Sequence, residues 1–135
     1  MQVREWVSSF DTVLTDCDGV LWVGADPVPG SPELVQRMRQ LGKRVFYVTN
    51  NSTKHRREYK TKVDKLGFGG EMVNRKLKGI IQSQDDIIGT AYLAAAYLEE
   101  VGFDKSKLVY VVGSTGITQE LDDVGIKYLP IGVSR

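Results

Sequence analysis

The stretch Thr12-Val13-Leu14-Thr15-Asp16-Cys17-Asp18-Gly19 passes from a short β-branched run straight into two carboxylates and a glycine. Such a run suits a β-strand, with its polar residues placed where the strand ends. A second junction has the same form. Arg44-Val45-Phe46-Tyr47-Val48 leads into Thr49-Asn50-Asn51-Ser52-Thr53-Lys54. Between the two lies Ser31-Pro32-Glu33, which offers an N-cap, a proline at the first helical position and an acid in the first turn. Leu34, Met38 and Leu41 follow at helical spacing, and Gly42 closes the helix. Strand, helix, strand predicts a parallel pair. In an open α/β sheet, ligands bind beyond the carboxyl ends of the strands.

The same grammar continues outward. Ser52 or Thr53 starts a second helix, with Tyr59, Val63 and Leu66 on one face and Gly67 behind it. Asp85 or Asp86 starts a third, carrying Ala91, Ala94, Ala95 and Leu98, with Gly102 after it. Ser114 or Thr115 starts a fourth, with Ile117, Leu121 and Val124 together and Gly125 at its end. Leu108–Val112 and Ile126–Leu129 read as further strands. Most of these apolar runs are nearly continuous rather than alternating, which suits strands covered on both faces. The alternation predicts an α/β fold: a Rossmann-like parallel sheet with flanking helices. Residues 69–84 have no clear period and a local positive charge, and read as an exposed loop.

Composition sets bounds. The chain has 135 residues, enough for one domain, with 41% apolar and 26% charged residues. A net charge of +1 gives no strong field toward nucleic acid or a membrane surface. No apolar run is long enough to span a bilayer, and the N-terminus lacks a signal-peptide core. A single cysteine, Cys17, excludes an internal disulfide and suits a reducing compartment. The expectation is a cytoplasmic protein.

The chemistry concentrates at the two strand ends. Asp16 and Asp18 are two residues apart, so in extended backbone they point to the same side. Two converging carboxylates repel, and the site wants a cation. Their hard oxygens suit Mg²⁺, which is commonly shared with a phosphate. With its charge so balanced, a carboxylate can act as a nucleophile. Gly19 permits a sharp turn with backbone N–H groups free for a phosphate. Asp-x-Asp-Gly also marks ordinary turns and some calcium loops. Thr49, Asn50 and Asn51 supply a hydroxyl and two amides beside a helix N-terminus, which favours anions. Asn51, Ser52 and Thr53 can equally be helix caps. Cys17 reads as a small buried hydrophobe, since no arginine-bearing phosphate loop follows it. His55, the only histidine, reads as an exposed helix residue. Lys54, Arg56, Arg57, Lys60, Lys62 and Lys65 read as a solvated helix face, with attraction of a phosphorylated substrate as the alternative.

Asp16-Cys17-Asp18-Gly19-Val20-Leu21-Trp22 resembles the first motif of the haloacid dehalogenase superfamily, and Val45-Phe46-Tyr47-Val48-Thr49-Asn50-Asn51-Ser52 resembles its second. Lys65-Leu66-Gly67-Phe68, Gly89–Leu98, Val111–Ser114 and Glu120–Gly125 fit the same branch, the one holding phosphoglycolate phosphatase, pyridoxal phosphatase and 4-nitrophenylphosphatase-like proteins. The resemblance covers about residues 5–131. It implies a phosphatase of phosphoric monoesters. Asp16 would attack phosphorus to form an aspartyl-phosphate, and Asp18 would be the general acid and base. Mg²⁺ would bind the Asp16 carboxylate and the Asp18 backbone carbonyl. Thr49, Asn50, Asn51 and the Gly19 turn would hold the phosphoryl group. The substrate class would be a small phosphorylated metabolite, with no nucleic acid or membrane partner. A homodimer would be possible in the full-length family.

The family also uses a supporting lysine and further metal-binding aspartates on a later strand. Lys105, Lys107 and Asp122-Asp123 do not match them. The resemblance therefore implies that residues 1–135 are the N-terminal part of the core domain, without the cap domain or the rest of the core. The nucleophile strand would then be an exposed edge. Two functional expectations stay open: a Mg²⁺-dependent phosphomonoester hydrolase, or a truncated, non-catalytic relative that binds phosphate or a partner without turnover. A receiver-like phospho-accepting regulator is disfavoured by Asp18-Gly19 and the Thr49-Asn50-Asn51 cluster.

Overall fold

The structure, a computed structural model, describes residues 3–69 and 83–131. In chain order the elements are α1 (Val3–Ser8), β1 (Thr12–Asp16), β2 (Trp22–Val23), β3 (Asp26–Pro27), α2 (Ser31–Gln40), β4 (Arg44–Thr49), α3 (Arg56–Lys65), β5 (Ile87–Gly89), α4 (Thr90–Glu100) and α5 (Thr115–Asp123). β1, β4 and β5 form a parallel sheet in that order, with helices flanking it. β2 and β3 form a short antiparallel hairpin. The α/β fold expected from the alternation of elements is the fold observed.

The register follows from which side chains are buried. Val45 and Tyr47 alternate inward along β4 and join Val35, Tyr59, Val63, Phe68 and Ile87 in one apolar cluster. Tyr47 is fully buried, and its hydroxyl accepts a hydrogen bond from Arg39 at 2.9 Å. Arg39 is itself buried and donates to the Phe68 carbonyl at 2.8 Å, so this cation is not left without polar partners. This packing sets Thr12 against Arg44 and Asp16 against Val48. A slip of one residue would turn the Val45–Tyr47 face to solvent. β1 lies at the sheet edge, and Leu14 on it is 67% exposed. The edge position is the one expected above for this strand.

Four expectations change. The helix after β4 begins at Arg56 rather than at Ser52 or Thr53. His55 is its N-cap: its ring accepts the Arg57 N–H at 3.0 Å, while Glu58 reaches back to the His55 N–H. This is a capping box with histidine in the cap position, which a search for Ser, Thr, Asp or Asn passes over. The third helix begins at Thr90, not at Asp85 or Asp86. Ile87-Ile88-Gly89 instead pairs with Tyr47-Val48-Thr49 as β5, because burial of Ile87 against β4 outweighs local helical preference. Leu108–Val112 and Ile126–Leu129 do not join the sheet. They meet each other through one parallel bridge, Val109 to Tyr128. Leu108, Tyr110 and Val112 face outward while Val111 packs with Ala95, Leu121 and Ile126, so only one face is covered. The loop expected at 69–84 lies almost wholly outside the described residues.

His55 is the fourth. It is 4% exposed, not a surface residue. With Nδ1 accepting the Arg57 N–H, its proton sits on Nε2, which donates to Asp123 Oδ2 at 2.9 Å. Next to it, Glu120 is 1% exposed and accepts from the Arg56 backbone N–H at 2.9 Å and from Arg56 Nε at 3.1 Å. α5 is thereby clamped to the first turn of α3. Among the described residues no helix is long and apolar enough to cross a membrane.

Candidate active site

Asp16 ends β1 and Thr49 ends β4. Since Asp16 pairs with Val48, Thr49 is the next residue along the neighbouring strand. The helix between the strands keeps them parallel, so both chemical segments emerge at the same sheet end. The ends of β1 and β4 are therefore neighbours, as the strand–helix–strand reading expects. One oxygen of Asp16, Oδ1, accepts the Cys17 N–H at 2.7 Å. The other has no hydrogen-bond partner among the described residues.

The turn after β1 winds around one carbonyl. Cys17 O accepts from Val20, Leu21 and Trp22 N–H, the Leu21 bond being 2.9 Å long. Gly19 sits at φ +85°, in the left-handed region that a side chain makes costly, and its N–H bonds the Trp22 carbonyl at 2.7 Å. The Gly19 N–H is therefore spent on the turn. Cys17 is 1% exposed, as expected of a buried hydrophobe. Burial, with the Asp16 and Asp18 charges adding to it, pushes its thiol up to about 12 against a smaller opposing pull from Lys62. It stays a thiol near neutrality.

Asp18 is fixed more firmly than its side-chain exposure of 42% suggests. Trp22 Nε1 donates to Asp18 Oδ1 at 2.8 Å. Trp22 is fully buried, with its ring edge-on to Phe68 at 5.7 Å between centroids. Lys62 brings Nζ to 3.8 Å from the same Asp18 oxygen and 4.6 Å from the Trp22 ring centroid. Lys62 thus leaves the solvated face to which its sequence neighbours assigned it. So does Arg56, which is paired with Glu120 and stacked 3.7 Å over the Tyr92 ring.

The second segment is a self-bonded loop. Thr49 is 2% exposed and its hydroxyl accepts the Asn51 N–H at 3.1 Å. Asn51 Oδ1 accepts from the Thr53 N–H at 3.1 Å and from its hydroxyl at 2.6 Å, an Asx-type turn. The Asn51 carbonyl accepts from Tyr59 at 3.2 Å. The Asn50 carbonyl accepts from Thr90 at 3.1 Å, and no hydrogen bond to the Asn50 side chain is present among the described residues. The anion-binding helix N-terminus expected here is not available. α3 starts later, and Glu120 already occupies its first N–H. Tyr59 lies beneath both segments. Burial chiefly raises its phenol, a hydrogen bond with Thr49 opposes this, and the nearby Asp18 charge adds to the rise. Tyr59, Lys62 and Glu120 were missed as site-supporting residues because each lies on a helix whose sequence shows only its period.

The loop is also held from the side. A Cβ on Gly116, in the first turn of α5, would lie 2.6 Å from both Lys54 N and Ser52 O. Only glycine lets α5 approach the loop this closely. His55, Glu120 and Asp123 bring ligand-type atoms within 4.8 Å of one another. The ring Nε2 and both carboxylates are already engaged with each other or with Arg56 and Arg57, so the group is an ion-pair clamp and not a metal centre.

A family model for haloacid dehalogenase-like hydrolases matches residues 13–127. The chain is 41% identical over 123 residues to a chloroplastic phosphoglycolate phosphatase of Arabidopsis thaliana, covering 91% of this chain and 31% of that protein. It is 36% identical to a 4-nitrophenylphosphatase of Schizosaccharomyces pombe, covering 95% and 39%. The human glycerol-3-phosphate phosphatase is 40% identical, at 93% and 37%. Among solved structures, a glycerol phosphate phosphatase of Mycobacterium tuberculosis in complex with magnesium superposes with a TM-score of 0.67 at 25% identity, covering 91% of this chain and 33% of that one. A hypothetical protein of Pyrococcus horikoshii gives a TM-score of 0.68 at 27% identity, covering 88% and 40%. The chain spans about a third of the length of these curated relatives. The match over residues 13–127, on a parallel sheet whose strand ends bring Asp16 beside Thr49, places the chain in the haloacid dehalogenase-like hydrolase family.

Proposed function

We propose that this chain is the N-terminal part of the core of a Mg²⁺-dependent phosphatase that cleaves small phosphomonoesters through an aspartyl-phosphate on Asp16. The observation that carries this reading is the β1–β4 register, which sets Asp16 beside the Thr49–Asn51 loop in a chain of this hydrolase family. The activities named for the relatives, toward phosphoglycolate, glycerol phosphate and 4-nitrophenyl phosphate, support the substrate class.

Asp16 offers an oxygen with no partner among the described residues as the nucleophile. Its attack on phosphorus breaks the ester bond, and Asp18 gives a proton to the leaving oxygen. In the second step Asp18 takes a proton from water, which attacks phosphorus and frees Asp16. On this reading Thr49, Asn50 and Asn51 would hold the phosphoryl oxygens. Gly19 contributes turn geometry. The Asp16 carboxylate and Asp18 would hold Mg²⁺, and their hard oxygen donors suit it. Bound there, the ion would offset repulsion between Asp16 and an anionic substrate.

A second reading, phosphate binding without turnover, is favoured by one observation. Among the described residues no cation pairs with Asp16, and Lys62 is committed to Asp18. Incubation with 4-nitrophenyl phosphate and Mg²⁺, followed by release of 4-nitrophenol, separates the two. The phosphatase reading expects release that stops in Asp16→Asn, at a rate below that of a full-length relative. Release that survives Asp16→Asn overturns it. Phosphate binding with no release favours the second reading.

A further inference from the structure

Asp18 has two oxygens with different surroundings. Oδ1 is held by the Trp22 indole N–H at 2.8 Å and faces Lys62 Nζ at 3.8 Å. Oδ2 has no hydrogen-bond partner among the described residues. An aspartate with this exposure would ordinarily exchange between staggered rotamers. Here one donor belongs to a fully buried indole that cannot follow it outward. The other is a cation seated 4.6 Å over that same indole, with a side chain only 22% exposed. Ammonium over an aromatic face is attracted by the ring quadrupole, and the attraction grows when water is excluded. Lys62 therefore braces both the carboxylate and the ring that holds it.

We propose that Lys62 is a positioning residue, which acts with Trp22 to lock the Asp18 carboxylate by Oδ1 and leave Oδ2 free for proton transfer. The consequence for catalysis rests on the phosphatase reading, while the locking itself does not. Lys62 comes from α3, some forty residues beyond Asp18 in the chain. The packing of α3 against the turn after β1 thus becomes a condition for a correctly aimed proton donor. A proton donor displaced by a fraction of its reach loses much of its effect, because proton transfer needs hydrogen-bond geometry.

The test uses the whole chain and two readouts. The first is the indole ¹H–¹⁵N signal of Trp22, told apart from that of Trp6 with a Trp6→Phe variant. In Lys62→Met it shifts toward its place in Asp18→Ala, and in Lys62→Arg it stays near the unsubstituted position. An indole signal unmoved by Lys62→Met overturns the proposal. The second readout is steady-state hydrolysis of 4-nitrophenyl phosphate. The expectation for Lys62→Met is kcat lower by roughly tenfold with KM unchanged, largely restored by Lys62→Arg. A raised KM with weaker inhibition by inorganic phosphate makes Lys62 a phosphate-binding residue instead, and the proposal fails. If the unsubstituted chain releases no 4-nitrophenol, the phosphatase reading fails, and the indole signal still decides whether Lys62 holds Asp18. Lys62→Gln repeats both measurements should Lys62→Met not fold.

Discussion

Glu120, near the end of α5, accepts the backbone N–H of Arg56, the first residue of α3, at 2.9 Å and the Arg56 guanidinium at 3.1 Å. A carboxylate from one helix thus caps the positive end of another. The pair is buried, so removing one partner strands the other. Glu120→Ala is expected to cost about 3 kcal/mol or more in urea unfolding. Glu120→Gln should cost less, because its amide oxygen still accepts the Arg56 N–H. Equal losses in the two variants would show that the N–H contact contributes little.

Gly116 tests the approach of α5 to the Ser52–Lys54 loop. In an open helix, alanine would stabilise by about 1 kcal/mol over glycine. Here its Cβ would meet backbone atoms at 2.6 Å. Gly116→Ala is therefore expected to destabilise by about 1–3 kcal/mol, the range for overpacking. Thermal melting gives the sign, and amide shifts at residues 50–54 should move with it.

Asp123 sets an acid limit. Burial tends to raise its carboxyl, but the hydrogen bond from His55 and the charges of Arg57 and Arg56 outweigh this and hold it below the ordinary 3.8. A carboxylate lowered on folding adds stability that is complete above its unfolded value. That stability is lost as pH falls through the lower folded value. The stability of the Asp123→Asn variant should therefore fall less steeply than that of the unsubstituted chain below about pH 4. Parallel acid limbs for the two would contradict the assignment.

Cys17 should be chemically quiet. It is 1% exposed and its thiol is pushed up to about 12. Iodoacetamide at pH 8 is expected to leave the native chain unmodified for hours and to label it fully in urea. Rapid labelling of the folded chain would mean that the turn after β1 opens readily.

The fold was legible wherever burial wrote a period into the chain. α2 showed itself through the spacing of Leu34, Met38 and Leu41 and the Ser31-Pro32-Glu33 start, and the structure begins it at Ser31, but Gly30 rather than Ser31 takes the cap position, and the helix buries Val35 and Arg39 while Leu34 and Leu41 stay exposed. β1 and β4 stood out as β-branched runs ending in polar residues, and their ends meet as expected. β5 was hidden because three residues carry no period and its stability comes from Tyr47 and Val48 across the sheet. His55 was misread because its neighbours are basic, whereas its burial is imposed by α5, far along the chain. Lys62 was misread for the same reason: its partner Asp18 is brought to it by packing alone. Asp16, Asp18 and the Thr49–Asn51 loop were legible as candidates. The residues that brace them were not, since support of this kind depends on contacts between helices that no local pattern records.

The pairing of β1 with β4 has a thermodynamic reach. The two strands are consecutive in the sheet and separated in sequence by only α2 and the β2–β3 hairpin. Contacts this local close a modest loop and can form early on the folding route. An anion held across the two strand ends would bind only chains in which residues 12–49 are already assembled. By mass action such a ligand shifts the balance toward the folded unit. Inorganic phosphate or a substrate analogue would then act on this segment as a folding ligand, raising its melting temperature in proportion to the logarithm of its concentration well above Kd.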